Sequence, residues 1–471
     1  MFSVRGRGTA RRLAAATLVS GLVAAGAIAL AGPAAADDAP GASGGATAKL
    51  GELKIFDGVK IAGQDREERG GLFEMQVENG GSLLTYCIDY RTTAYEGKQY
   101  KEVGWDQSSL HNNPDAGKIL WILENSYPTL KVSDLTSKAG VEGLSDETAA
   151  AATQAAIWHF SDDLDAKPVD EKAQALTKYL IDNATKVEEP KSSLSLSPSS
   201  LAGKAGDRIG PFKVGTNAKT GADLSVVPGA PAGLGIVDKD GKAITKAKDG
   251  DDVYVNVPSG TPDGDAEIKA EVTTQVPLGR AFVSTQGKSQ TMILAGSSNS
   301  TVTAKATVAW AKKGAVPAVT VAKDCAKGGL EIIASNAGDE PWTFDLKGTS
   351  YTIAPAEKKT ITVPLAEDEA YKFTITGPNK FSETFEGVLD CKTATPGPKP
   401  SETPSTSPSV EPSPSTPGTT GDTTGGTTGG GDLAETGSSN ATPMIAGIAA
   451  ALVAIGGGAV FFLRKKKTAG Q

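Results

Sequence analysis

The sequence predicts a multidomain, mostly β protein. An α+β domain comes first, then two all-β sandwich (Ig-like) domains, a disordered stalk and a C-terminal transmembrane helix. Three observations predict this order. At 471 residues the chain is longer than one ordinary core requires. Helical periodicity stops after Pro190, and short β-branched runs separated by Gly, Pro and Asp take over. The 56 Gly and 27 Pro point to a segment that buries no core.

Residues 1–36 read as a signal peptide. Arg5, Arg7, Arg11 and Arg12 precede an apolar run from Leu13 to Ala31, and Ala34, Ala35 and Ala36 offer a small-residue cleavage site. The Arg11-Arg12 pair would admit twin-arginine export, but Ala14 stands where that route wants a bulky apolar residue. General secretion is expected. At the other end, an uncharged stretch at 444–463 is long enough to cross a bilayer at about 1.5 Å per residue. The basic tail at 464–471, with Arg464, Lys465, Lys466 and Lys467, would halt translocation. Without these eight cations, 39 basic residues face 55 acidic ones. A chain that acidic is ill suited to gripping phosphates, so nucleic acid is excluded as a partner.

The first domain is placed at 48–190. Strands are expected at 54–61, 72–78 and 83–90. A helix over 115–126 carries Ile119, Leu120, Ile122 and Leu123. A second, alanine-rich helix runs to about Phe160 from a Ser145 cap, and a third covers 168–184 with Val169, Ala173, Leu176 and Leu180 on one stripe. Alternating Val253, Val255 and Val257, with β-branched runs at 266–276 and 301–310, place a sandwich at 192–314. A second sandwich follows at 315–392, with strands near 330–334, 351–353, 359–363 and 371–376. Residues 393–432 are almost wholly Pro, Ser, Thr and Gly, the composition of a wall-spanning stalk.

Cys325 and Cys391 bracket the second sandwich. A disulfide there would close a loop of about 65 residues and stabilise the domain by roughly 4 kcal/mol in the chain-entropy model. Cys87 is left over, an exposed-compartment thiol that invites explanation. It falls on the strand expected at 83–90, where Leu83, Thr85, Cys87 and Asp89 share a face. Gln154 lies on the alanine-rich helix, on the face of Ala150, Ala151, Ile157 and Trp158. Spacing alone favours the plainer reading, in which Cys87 is a small buried hydrophobe and Gln154 merely hydrogen-bonds. His111 and His159 are placed off that face. The two His and three Cys show no metal-ligand spacing, so no metal and no cofactor is expected.

Two motifs change this reading. Tyr86-Cys87-Ile88-Asp89, followed by Thr153-Gln154-Ala155-Ala156-Ile157-Trp158, resembles the thioester domain, or TQXA domain, of Gram-positive surface proteins. The resemblance spans about 140 residues and includes 122–128. It implies a β-rich core with a helical subdomain, and a covalent thioester cross-link from the Cys87 sulfur to the Gln154 side-chain carbonyl. Tyr86, Ile157 and Trp158 are expected to shield the bond from water, and Asp89 is a candidate base. By the same resemblance the chain is no enzyme: it captures one amine, such as a lysine of a host or neighbouring-cell surface protein, as an amide. The alternatives are a non-covalent adhesin with a free Cys87, and a hydrolase or transglutaminase pairing Cys87 with a histidine.

The C-terminal motif at 433–437, Leu433-Ala434-Glu435-Thr436-Gly437, resembles the LAXTG sorting signal of actinobacteria. That implies sortase cleavage after Thr436 and linkage to peptidoglycan, and so a protein that is secreted and held in the cell wall.

Overall fold

The computed structural model describes residues 41–392. The signal peptide, the stalk, the Leu433–Gly437 motif, the 444–463 span and the basic tail lie outside the described residues. Among the described residues no helix is long and apolar enough to cross a membrane.

The first element of the fold is a sheet that closes on itself. Strand Thr47–Ile61 pairs with Glu67–Val77 on one side and with Gln99–Val103 on the other. Glu67–Val77 continues to Ser82–Cys87, and Gln99–Val103 continues to Ala281–Ser284. The gap between them is filled by Met292–Ser297, which pairs with both Ser82–Cys87 and Ala281–Ser284. Ala166–Pro168 adds a short strand to Thr47–Ile61. Closure leaves the ring without an open edge.

This closure departs from the sequence reading in one respect. The sequence places residues 281–297 in the sandwich at 192–314, yet they complete the sheet that carries Cys87. The physical reason lies in what each strand needs on its two faces. Met292 and Leu294 are fully buried on one face of this strand and Ile293 on the other, against the helical core, so the strand needs apolar cover on both faces and finds it in the ring.

Four helices cover the ring: α1 at Ala116–Glu124, α2 at Val132–Ala139, α3 at Asp146–Ser161 and α4 at Glu171–Asn183. Ser145 caps α3 as its sequence foretells, with a reciprocal bond in which Thr148 returns to the Ser145 main-chain N–H. α3 is buried along most of its length because alanines let it lie close to the sheet. At the crossing stands Gly70, where an added Cβ would come within 2.7 Å of Val59 and 3.4 Å of the Gln154 stem. The strand Gln99–Val103 and helix α2 have no counterpart in the sequence reading.

Two five-stranded sheets follow. One runs Ser43–Gly44, Leu194–Ser197, Arg208–Thr216, Asp252–Asn256 and Gly235–Val237; the other is centred on Gly264–Thr274 paired with Ser300–Trp310. The last region holds the three-stranded sheet of Pro317–Asp324, Gly329–Asn336 and Lys358–Pro364, with two hairpins. Cys325 and Cys391 form the disulfide expected of them, with Cα atoms 5.4 Å apart.

Residues 41–392 fall within one compact unit, and a buried ion pair shows why. Arg280 Nε donates to Glu102 Oε1 at 3.1 Å, and its Nη1 donates to Glu189 Oε1 and to the Pro190 carbonyl, both at 3.0 Å. Glu102 also accepts from the main-chain N–H groups of Ala46 and Ser193 at 2.9 Å. The segment read as a domain boundary is therefore knotted into the ring. Such a pair is kept buried only because each charge is fully hydrogen-bonded.

Candidate functional site

Cys87 ends the strand Ser82–Cys87, opposite Met292 in the neighbouring strand. Two residues before Met292, on the same side by the alternation of a strand, comes Gln290. Its Oε1 lies 2.8 Å from Cys87 Sγ. Gln290 Nε2 donates to the Asp89 carbonyl at 2.7 Å, and the Gln290 carbonyl accepts from the Tyr100 hydroxyl at 2.8 Å. The amide is thus held at its oxygen, its nitrogen and its backbone.

Gln154 reaches the same cysteine from α3, but touches a different part of it. Its Oε1 accepts from the Cys87 main-chain N–H at 3.0 Å, and its Nε2 donates to the Cys87 carbonyl at 2.9 Å. This is the hydrogen-bond pattern of one more strand, made by a side chain. The structure therefore brings Cys87 and Gln154 together as the sequence reading expects, yet puts Gln290 at the sulfur.

Access separates the two amides further. An open cavity of about 550 Å³ is lined by Cys87, Gln290, Trp158, Tyr90 and Phe73, with Arg66, Arg69, Arg91 and Glu68 among its other walls. Gln154 is fully buried and is not in its lining. Trp158 meets Tyr90 edge-on, with ring centroids 5.1 Å apart, so these two aromatics form the wall beside the sulfur. The shielding expected of Tyr86 and Ile157 differs in direction: both are buried in the helical core on the other side of the strand, with the Tyr86 hydroxyl donating to the Tyr127 carbonyl at 2.8 Å.

Burial, then the negative charges of Asp162 and Asp89, hold the Cys87 thiol well above its ordinary range. Asp162, at the end of α3, accepts from the Tyr90 N–H at 2.8 Å and from Ser161, and burial pushes its carboxyl up to about 6. Asp89 lies beyond the strand end, buried, and meets Gln290 through its carbonyl. His111 and His159 line a separate cavity with Asp162 and Cys391.

The loop bearing Gln290 is also tied to the last domain. The Thr291 hydroxyl donates to Asp390 Oδ2 at 2.8 Å, and Lys288 pairs with Asp368. With Glu367 these acids bring carboxylate oxygens within 4.8 Å of one another, a grouping of the kind that can hold a cation. Each has a protein partner: Glu367 accepts from the N–H groups of Cys391 and Lys392 at 2.6 and 2.9 Å.

Residues 84–186 match the family model of the thioester domain. The chain carries a thioester domain. The matched segment holds Cys87 and Gln154 and ends before Gln290. Residues 317–388 match the C-terminal domain of bacterial phospholipase C. No curated protein matches the chain. Among solved structures, the chain is similar to the Bacillus anthracis TIE protein at 17% identity, covering 74% of this chain and 81% of that one, with a TM-score of 0.27. The thioester domain of the Enterococcus faecium TIE86 protein is similar at 20% identity, covering 57% and 97%, with a TM-score of 0.28. The N-terminal thioester domain of a Clostridium perfringens surface protein is similar at 18% identity, covering 30% and 87%, with a TM-score of 0.20.

Sequence reasoning missed Gln290, Asp162 and Tyr90. The signal for Gln290 was its position two residues before the apolar Met292-Ile293-Leu294-Ala295 run, which marks a buried strand with one polar residue on its inner face.

Proposed function

We propose that this protein is a single-use covalent adhesin whose internal thioester joins Cys87 Sγ to Cδ of Gln290, with Gln154 as the clamp that fixes the cysteine backbone. The observation that carries the reading is the 2.8 Å contact between Cys87 Sγ and Gln290 Oε1 in the wall of an open cavity. A carbonyl carbon lies about 1.23 Å from its oxygen, so the electrophilic carbon is within about 4 Å of the sulfur.

In forming the bond, sulfur attacks Cδ, the C–N bond breaks, and the amide nitrogen leaves as ammonia with the thiol proton. When an external amine arrives, its nitrogen bonds to Cδ, the C–S bond breaks, and the sulfur takes up the proton the amine sheds. The high thiol pKa makes Cys87 a sluggish leaving group, which favours survival of the bond in water until a partner binds. Asp162, which accepts from the N–H of the cavity-lining Tyr90 and whose carboxyl burial pushes up to about 6, is the group we assign to accept a proton from the ammonium. No group is regenerated for a second cycle, so the protein binds once and does not turn over.

Intact mass tests the reading. The freshly prepared chain should weigh one ammonia less than calculated, and digestion should yield a linked peptide joining Cys87 to Gln290. A link to Gln154, or full mass with a titratable thiol, would sink it. We further propose export by the N-terminal leader and wall attachment through Thr436. Thr436→Ala should shift the protein from the wall to the membrane fraction; unchanged wall linkage would remove that site.

A further inference from the structure

We infer that the cavity beside Cys87 selects a lysine flanked by carboxylates, on an acidic stretch of a partner polypeptide. This deepens the proposed thioester chemistry and rests on it.

The cavity is built with charge in two layers. Behind the sulfur lie Asp89, buried, and Asp162, half-buried, both close enough for their charge to act on the thiol. Around the mouth stand Arg66, Arg69 and Arg91, with Glu68 as the acid that shares the lining. Arg66 is paired with Glu68 at 2.6 Å, and Arg69 lies over the Phe56 ring at 5.1 Å. Arg91 is exposed on the turn after Tyr90. The mouth therefore carries more positive than negative charge, on a chain whose formal net charge is −8.

An ammonium alone is badly served by that arrangement. It must pass a cationic rim before it reaches the sulfur, behind which the charges of Asp89 and Asp162 lie. A partner that presents carboxylates on either side of the lysine meets the rim with opposite charge while its amine goes on to the thioester. Rim charges of this kind act on encounter rate and partner choice more than on the final bond. For a reaction that happens once and is not undone, the encounter is the step at which selection has to occur.

The test compares rates of covalent adduct formation by the full exported chain, read by intact mass. The probes are a lysine peptide with aspartates on both sides, the same peptide with alanines, free lysine and methylamine. The acid-flanked peptide should react roughly tenfold faster than the neutral one at low salt. That ratio should shrink at high salt, because exposed charges are screened. It should fall towards one in the triple variant Arg66→Ala, Arg69→Ala, Arg91→Ala, and rise in Glu68→Gln. Methylamine adducts formed by the triple variant show that the thioester is still made.

Equal rates for the two peptides, with methylamine still captured, would overturn this inference and leave the thioester standing. Free lysine reacting as fast as the acid-flanked peptide would replace a polypeptide with a small zwitterion and overturn it as well. Failure of every amine, methylamine included, would remove the thioester and this inference together.

Discussion

The α3 side of Cys87 and the side formed by residues 289–294 hold different parts of the same residue. From α3, Gln154 grips the main chain with two hydrogen bonds and is sealed from solvent. From the returning strand, Gln290 meets the sulfur and lines an open cavity. Both are amides in the same core, so their chemistry is equal until placement makes it unequal. What differs is whether a sulfur and an outside amine can both reach the carbonyl carbon.

Gln290→Ala should break the comparison most completely. Ammonia loss and amine capture should vanish while the fold stays, since Gln290 lies before its strand and Met292–Ser297 keeps its pairing. Mass and circular dichroism on the same sample check both halves. Retained ammonia loss in this variant would return the reactive role to the α3 side.

Gln154→Ala should do something else. It orphans a buried N–H and a buried carbonyl of Cys87, at a cost of about 2–5 kcal/mol with the cavity included. The thioester should still form, more slowly and to a lower yield. Denaturant unfolding with timed mass measurement separates the two effects; complete loss of the thioester in a chain that folds normally would count against a clamp.

Thr291→Val sharpens the comparison from the other side. It removes the hydroxyl that joins the Gln290 loop to Asp390, next to Cys391 of the disulfide. About 1 kcal/mol of stability should go, with a few-fold slower capture. Unaltered capture kinetics would mean that the last domain does not steady the loop.

The smallest effect is on pH. Asp162 titrates near 6 and Glu383 near 7 in the folded chain, both raised chiefly by burial, against about 4 in an unfolded one. Between pH 4 and 7 the folded state keeps protons that the unfolded state has lost. Stability from these two groups is therefore full at pH 4 and declines as pH rises to 7. The melting temperature should be a few degrees higher at pH 5 than at pH 7.5, and Asp162→Asn with Glu383→Gln should flatten the difference.

Much of the site was legible in the sequence, for local reasons. Ser145 and the alanine run specify α3, Cys87 sits in an apolar stretch between turns, and Cys325 with Cys391 bracket a β region and are joined. Gln290 was not legible because it acts 203 residues away from Cys87. Its proximity comes from closure of a ring whose last two strands are inserted in sequence between the sandwich strands Gly264–Thr274 and Ser300–Trp310, and no local periodicity encodes that return. Gln154, only 67 residues away and on a well-marked helix, stood out for being easier to read. The strand Gln99–Val103 was missed because Gln99, Lys101 and Glu102 disguise it, although Glu102 faces inward to Arg280.

The return of Met292–Ser297 to the ring also decides how the molecule would bear tension. On the proposed chemistry the captured partner hangs from residue 290, and a pull towards the C-terminal end enters the chain there. The four helices, at 116–183, lie outside the covalent path of that force. The load first meets Met292–Ser297, an inner strand hydrogen-bonded on both sides, and then Ser300–Trp310, in register with Gly264–Thr274 along its eleven residues. Drawn along their axes, such strands resist in shear, with many bonds strained at once. The helices that sheltered the electrophile could unravel under strain without releasing what it had caught.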